Sequence, residues 1–277
     1  GYVTQKINIT SITVNKVSYT IHQAGDGDSI LMLHGFTGDG ASFIENLAPL
    51  ADNYRLIAPD LLGHGQTASP PDPQRYAMPH AIADIHALLT QLGIEKCVVL
   101  GYSMGGRLAL GFALSHPEKV SALILESSSA GLSTPQEREA RIRGDEALAT
   151  RILSDGIEAF VDEWEKLPLW DSQPANLKTR LRMHRLKNNP LGLANSLRGM
   201  GTGAQPYFGD RLTELTMPVL LITGEHDTKF TRIAGEMAQS IPHVTIQTLR
   251  GAGHAVHLEA PDDYIGAIRA FLRGLGL

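Results

Sequence analysis

The segment Cys97-Val98-Val99-Leu100-Gly101-Tyr102-Ser103-Met104-Gly105-Gly106-Arg107-Leu108-Ala109-Leu110-Gly111-Phe112-Ala113-Leu114 is the most informative in the chain. Four consecutive apolar residues, Cys97 to Leu100, read as a strand buried on both faces. An apolar helix then runs from Arg107. Between them lies Gly101-Tyr102-Ser103-Met104-Gly105, a G-x-S-x-G pattern. A turn this tight forces strained backbone at its serine, and glycines on either side let strand and helix approach without Cβ clashes. The Ser103 hydroxyl then projects beside the positive end of a helix. Ser103 is therefore a candidate nucleophile or base.

Working outward, the same strand pattern recurs on both sides. Ile30 to Leu33 ends at His34-Gly35, Tyr54 to Ala58 ends at Pro59-Asp60, Ala122 to Leu125 ends at Glu126, and Val219 to Ile222 and Val244 to Gln247 follow much later. Continuous apolar runs separated by helical stretches predict a mainly parallel sheet covered by helices on both faces. Two alternating runs, Ile7 to Thr10 and Lys16 to Ile21, joined near Asn15, read as an antiparallel pair at the sheet edge. Between Ser127 and Arg211 the rhythm breaks into charged, strandless sequence with apolar residues at helical spacing (Ala147, Leu148, Ile152; Ile157, Phe160, Val161, Trp164). It is too long for a loop. The reading is a core of residues 1–126 and 212–277 with a helical lid, 127–211, inserted between two strands.

Composition narrows the function. Of 277 residues, 43% are hydrophobic and 19% charged, which excludes a disordered chain. The 24 basic and 29 acidic residues give a net charge of −5, which argues against a nucleic-acid partner. The single cysteine, Cys97, excludes an intrachain disulfide and fits a reducing, cytoplasmic setting. No apolar run is long enough to span a membrane. The first residues, GYVTQKINIT, read as neither signal nor transit peptide, and the missing Met suggests trimming or an expression scar. The histidines lack metal-ligand spacing and no dinucleotide fingerprint follows a strand, so neither metal nor cofactor is expected. A monomer or a weak homo-oligomer is expected.

A reactive serine needs a base, and the base an orienting group. The strand Val219 to Ile222 leads into Gly224-Glu225-His226-Asp227, and Gly251-Ala252-Gly253-His254 precedes the last helix. On residue type alone Glu225 competes with Asp227, and His257 with His254; the glycine-bracketed loop favours His254. His86, His116 and His243 read as surface residues. The order Ser103, Asp227, His254 resembles that of the α/β-hydrolase fold, a mostly parallel twisted sheet flanked by helices. That resemblance puts the acid at the third position after Gly224, hence Asp227. It also implies an oxyanion hole from the amides of Phe36, in His34-Gly35-Phe36-Thr37-Gly38, and Met104, and a structural role for Gly63-His64-Gly65.

Arg107, in the first turn of an otherwise apolar helix, is opposed by the helix dipole by about 0.3–1 kcal/mol and by desolvation. An arriving carboxylate, gripped by two parallel hydrogen bonds, explains it better than an internal salt bridge. The lid adds Arg138, Arg141 and Arg143, then Arg180, Arg182 and Arg185; interleaved acids mean that most coat helix surfaces.

Together, Gly101 to Arg107, Gly131-Leu132 with Gln136 to Arg141, Trp164, Arg185 ahead of Asn188-Asn189, and Glu225 to Phe230 resemble one family, the 2-succinyl-6-hydroxy-2,4-cyclohexadiene-1-carboxylate synthases of menaquinone biosynthesis. Met104 stands where some members carry Leu. The resemblance implies a lyase that removes pyruvate from an enolpyruvyl-cyclohexene tricarboxylate by proton abstraction. It implies Arg107, Arg141 and Arg185 as carboxylate partners, with Tyr102 and Trp164 lining the pocket. A one-turn slip in the lid would bring Arg138 or Arg182 in instead. The competing readings are a serine hydrolase, either a carboxylesterase or a C–C bond hydrolase of acidic substrates, and a non-enzymatic ligand-binding member of the fold.

Overall fold

Successive residues of the central strands feed two apolar cores, one on each side of the sheet. Leu31, Leu33, Val99, Leu123 and Leu221 enter one, while Ile30, Met32, Val98, Leu100, Ile124 and Leu220 enter the other. The two-residue side-chain period makes this division, and it is why the runs are apolar at every position.

The computed structural model describes residues 6–277; residues 1–5, part of the N-terminal stretch read above, lie outside it. Its strands are β1 (Asn8–Val14), β2 (Val17–Ala24), β3 (Ser29–Leu33), β4 (Arg55–Pro59), β5 (Cys97–Tyr102), β6 (Val120–Glu126), β7 (Val219–Gly224) and β8 (Val244–Leu249). They form one sheet in the order β1-β2-β4-β3-β5-β6-β7-β8. β1 pairs antiparallel with β2, and β2 with β4; every later pairing is parallel. Helices α1 (Gly40–Asn46), α9 (Val256–Glu259) and α10 (Pro261–Gly274) cover one face; α2 (Met78–Gln91), α3 (Met104–Ser115) and α8 (Thr228–Ala238) cover the other.

One strand departs from expectation. The run Val244 to Gln247 predicts a strand buried on both faces, yet β8 is the far edge of the sheet, and Thr245 to Thr248 are exposed. Its Val-Thr-Ile-Gln composition alternates, and a single flanking strand leaves its outer side in water.

Between β6 and β7 the chain forms α4 (Pro135–Asp155), α5 (Ile157–Trp164), α6 (Ala175–Arg185) and α7 (Pro190–Met200). Thr134 caps α4: its Oγ1 accepts the Glu137 N–H (3.2 Å) and its hydroxyl donates to Glu137 Oε1 (2.9 Å). Ile152, Phe160, Val161 and Leu193 form a separate small core, against which Phe36 of the main body packs. The apolar stripe of α4 runs through Ala149 and Ile152; Ala147 is exposed. Two histidines expected at the surface are half-buried, with the His86 and His116 rings 4.3 Å apart, whereas His243 is exposed. Among the described residues no helix is long and apolar enough to cross a membrane.

Candidate active site

The turn after β5 has the strain its sequence requires. Ser103 takes φ 51°, ψ −110°, a left-handed conformation that L-residues rarely adopt. It is tolerated because the elbow is over-determined. A side chain at Gly101 would strike the backbone of Gly105, and one at Gly105 would strike the carbonyls of Leu33 and His34, so α3 lies directly against β3.

Three sequence-distant side chains meet here. The Ser103 hydroxyl donates to His254 Nε2 (3.2 Å), and His254 Nδ1–H donates to Asp227 Oδ2 (2.8 Å). Asp227 is buried, caps α8, and accepts the Phe230 N–H through Oδ1 (3.4 Å). The competitors are employed elsewhere. Glu225 is exposed and its Oε1 accepts the Gly251 N–H (2.8 Å), bracing the glycine loop. His257 is buried against the Glu126 carboxylate, with Nδ1–H donating at 2.8 Å.

The amides of Phe36 and Met104 have no protein acceptor among the described residues, and both residues line the cavity that holds Ser103. The loop bearing Phe36 is fastened reciprocally to the loop after β4. His34 Nε2 accepts the Leu61 N–H (2.9 Å), while His64 Nε2 accepts the Thr37 N–H (3.1 Å). Each Nδ1–H donates to a carbonyl, His34 to Gly35 (2.7 Å) and His64 to Leu62 (3.1 Å), so both rings are neutral. Burial holds the His64 imidazole down to about 3 and lowers His34 also.

The cavity, about 650 Å³, is lined by Ser103, His254, Phe36, Met104, Tyr102, Trp164, Arg107 and Arg141 among others. Arg107 is buried, and one guanidinium nitrogen, Nη1, donates to Met200 O and Gln205 Oε1 (both 2.7 Å). Both acceptors are neutral. Burial, with a smaller contribution from Arg141, pulls its guanidinium down to about 10, so it stays charged at neutral pH. Arg141 is half-exposed, and its Nε donates to Asp145 Oδ1 (3.3 Å); burial raises the Asp145 carboxyl from its ordinary value. Burial also drives the Tyr102 phenol well above its ordinary value, with the Glu126 charge adding to the effect.

Arg185 is placed differently. It does not line the Ser103 cavity but a neighbouring one of about 210 Å³, and the two cavities adjoin at Phe36, Tyr102 and Trp170, which line both. Its guanidinium lies 5.0 Å over the Trp170 ring, and burial lowers it from the ordinary value. This shared boundary, made by residues from three separate segments, is a tertiary feature with no counterpart in local spacing. The two alternative arginines are occupied: Arg138 donates to the carbonyls of Gly203 (3.1 Å) and Gln205 (2.9 Å), and Arg182 to Asp162 (2.8 Å) and Glu165 (2.9 Å).

The sequence reading missed Asp145 and Lys229, which line the cavity, and Gln205, which holds Arg107 there. Asp145 carried a signal, its i+4 spacing from Arg141; Gln205 sits in a non-repetitive loop and carried none. Among the described residues no group of His, Cys, Asp or Glu is assembled as a metal site.

The α/β hydrolase fold profile matches residues 28–261. A Bacillus subtilis (strain 168) protein named for 2-succinyl-6-hydroxy-2,4-cyclohexadiene-1-carboxylate synthase is 44% identical over 273 residues, covering 96% of this chain and 98% of that protein. Among solved structures, MenH from S. aureus is similar with a TM-score of 0.86 at 33% identity, covering 99% of both chains. A malate-bound thermophilic esterase from Thermogutta terrifontis is similar with a TM-score of 0.84 at 27% identity, covering 98% of both chains.

Proposed function

This chain belongs to the α/β-hydrolase fold family and, within it, to the 2-succinyl-6-hydroxy-2,4-cyclohexadiene-1-carboxylate synthases, and on that premise we propose that it is a carbon–oxygen lyase of menaquinone biosynthesis. It eliminates pyruvate from 2-succinyl-5-enolpyruvyl-6-hydroxy-3-cyclohexene-1-carboxylate. The observation that carries this reading is Arg107: a charged guanidinium, held only by neutral acceptors, in the same cavity as Ser103. A hydrolase of neutral esters has no use for it.

The chemistry follows from the geometry. Ser103, its proton drawn toward His254 and the imidazole oriented by Asp227, removes the ring proton next to the succinyl carbonyl. The carbonyl becomes an enolate whose oxygen is received by the amides of Phe36 and Met104, donors of a kind worth a few kcal/mol of barrier. As the enolate collapses, the ring double bond shifts, the C–O bond to the enolpyruvyl group breaks, and the departing enolate takes a proton to become pyruvate. No acyl-enzyme forms. Arg107 and Arg141 hold substrate carboxylates on the Ser103 side, and Tyr102 and Trp164 wall the ring. Residues 127–211 act as the lid over this cavity. From the adjoining cavity, Arg185 serves the remaining carboxylate.

The experiment is pyruvate release from the enolpyruvyl-cyclohexene substrate beside hydrolysis of p-nitrophenyl esters, in wild type, Ser103→Ala and Arg107→Ala. Fast pyruvate release with feeble ester turnover, lost in both variants, is expected. Strong ester hydrolysis that survives Arg107→Ala, with weak pyruvate release, would instead establish the hydrolase reading, which the similarity to an esterase with malate bound favours. An ester trapped on Ser103 from the true substrate would overturn the mechanism.

A further inference from the structure

The three residues that follow the core of β6, Glu126-Ser127-Ser128, take no part in the chemistry above, yet most of their bonds go to the two loops that carry it. The Glu126 carbonyl accepts the Ser103 N–H (2.9 Å), and the Ser128 hydroxyl donates to the Ser103 carbonyl (2.9 Å). The Ser127 hydroxyl donates to the His254 carbonyl (2.6 Å). The buried Glu126 carboxylate accepts the N–H of His257 (3.1 Å) and its ring Nδ1–H (2.8 Å), three residues beyond the base. The nucleophile is thus held by both backbone groups and the base by its own carbonyl, all from one tripeptide.

Ser127 is also strained. It has φ 50°, is 1% exposed, and its N–H is bonded across to the Ile222 carbonyl of β7 (2.9 Å). A non-glycine residue keeps such a conformation only where its surroundings impose it. Buried hydroxyls usually find some acceptor, but an ordinary strand end does not explain why the strained residue bonds the backbone of His254 itself.

We propose that Glu126-Ser127-Ser128 is a clasp that sets the separation between Ser103 Oγ and His254 Nε2, with Ser127 as its principal positioning residue. The need is physical. His254 sits in a loop with glycines at 251 and 253, and Asp227 fixes only the far nitrogen of its ring. The position of the His254 backbone decides whether Nε2 reaches the serine, and displacement by about 1 Å is enough to cost roughly a hundredfold in rate. The clasp rests on the proposed roles of Ser103 and His254 but not on the identity of the substrate.

Ser127→Gly tests it, because glycine accepts the positive φ while losing the hydroxyl. The measurements are the rate at which a fluorophosphonate labels Ser103, kcat and KM for pyruvate release, and the thermal midpoint. Labelling and kcat are expected to fall about tenfold or more, with KM within about twofold and the midpoint preserved, as for a misplaced base. In a His254→Ala background the same substitution is expected to change labelling by less than about twofold, since a residue acting through His254 has nothing left to position. Wild-type labelling in Ser127→Gly, or an undiminished loss in the His254→Ala background, overturns the clasp. If wild-type Ser103 does not label at all, the roles given to Ser103 and His254 fail and the clasp falls with them; labelling without pyruvate release would instead refute the lyase reading alone.

Discussion

The Arg107 guanidinium donates to the Gln205 side-chain oxygen at 2.7 Å across 98 residues of chain, and neither this acceptor nor its other, the Met200 carbonyl, carries charge. Gln205 is itself buried, and its amide nitrogen donates to the Pro206 carbonyl (3.0 Å), so its oxygen is aimed and fixed. The loop after α7 therefore orients the cation without neutralising it through a hydrogen-bonded acid.

Gln205→Leu should accordingly weaken substrate binding without touching the reacting atoms. We expect KM for pyruvate release to rise about tenfold, near 1.4 kcal/mol, with kcat changed much less. Arg107→Lys is expected to be no rescue of Arg107→Ala, because an ammonium cannot make the planar two-bond contact. Steady-state kinetics of the three variants check this; an unchanged KM in Gln205→Leu would remove its orienting role.

The register of α4 and α6 makes a second prediction. Arg141 faces the cavity, whereas Arg182 is committed to Asp162 and Glu165 on the outside. Arg141→Ala should raise KM about tenfold, the loss of one charged contact. Arg182→Ala should leave KM within about twofold, since exposed ion pairs contribute little. The reverse ranking would mean that the substrate meets a different face of α6.

Acid stability tests the two loops around Phe36. His34 and His64 both have their imidazoles lowered by burial, His64 to about 3. The unfolded chain takes up these protons first, near the ordinary value of about 6.5. Their contribution to stability is therefore complete above about pH 6.5 and is lost as pH falls toward the folded-state values. His22, raised by its bond to Asp60, acts with the opposite sign and offsets part of the loss. Urea midpoints measured from pH 7 to pH 4 should fall. The slope should be shallower in His64→Gln, whose amide can take the Thr37 N–H and donate to the Leu62 carbonyl. An equal slope in both proteins would contradict the neutral His64.

Much of this molecule is legible in its residues alone. The runs Ile30 to Leu33 and Cys97 to Leu100 mark buried strands because every position must face one apolar core or the other. The order of Ser103, Asp227 and His254 is legible because each sits where a strand ends, and glycines mark those turns. Val244 to Gln247 misleads because an edge strand and a central strand differ in their neighbours more than in their own residues. Ala147 misleads because a helical stripe can slip by two positions while remaining apolar.

The alternation of strands and helices, the strained serine turn and the out-of-place cation in α3 are local features, each dependent on a few neighbouring residues and on backbone sterics. That Arg107 leans on Met200 and Gln205, that Arg185 lines a second cavity adjoining the first at Phe36, Tyr102 and Trp170, and that Ser127 holds His254 emerged with the folded chain alone. Those contacts join residues 93, 98 and 127 apart in the cases of Arg107 to Met200, Arg107 to Gln205 and Ser127 to His254. A buried polar group must find a partner, but local geometry does not specify which distant segment supplies it.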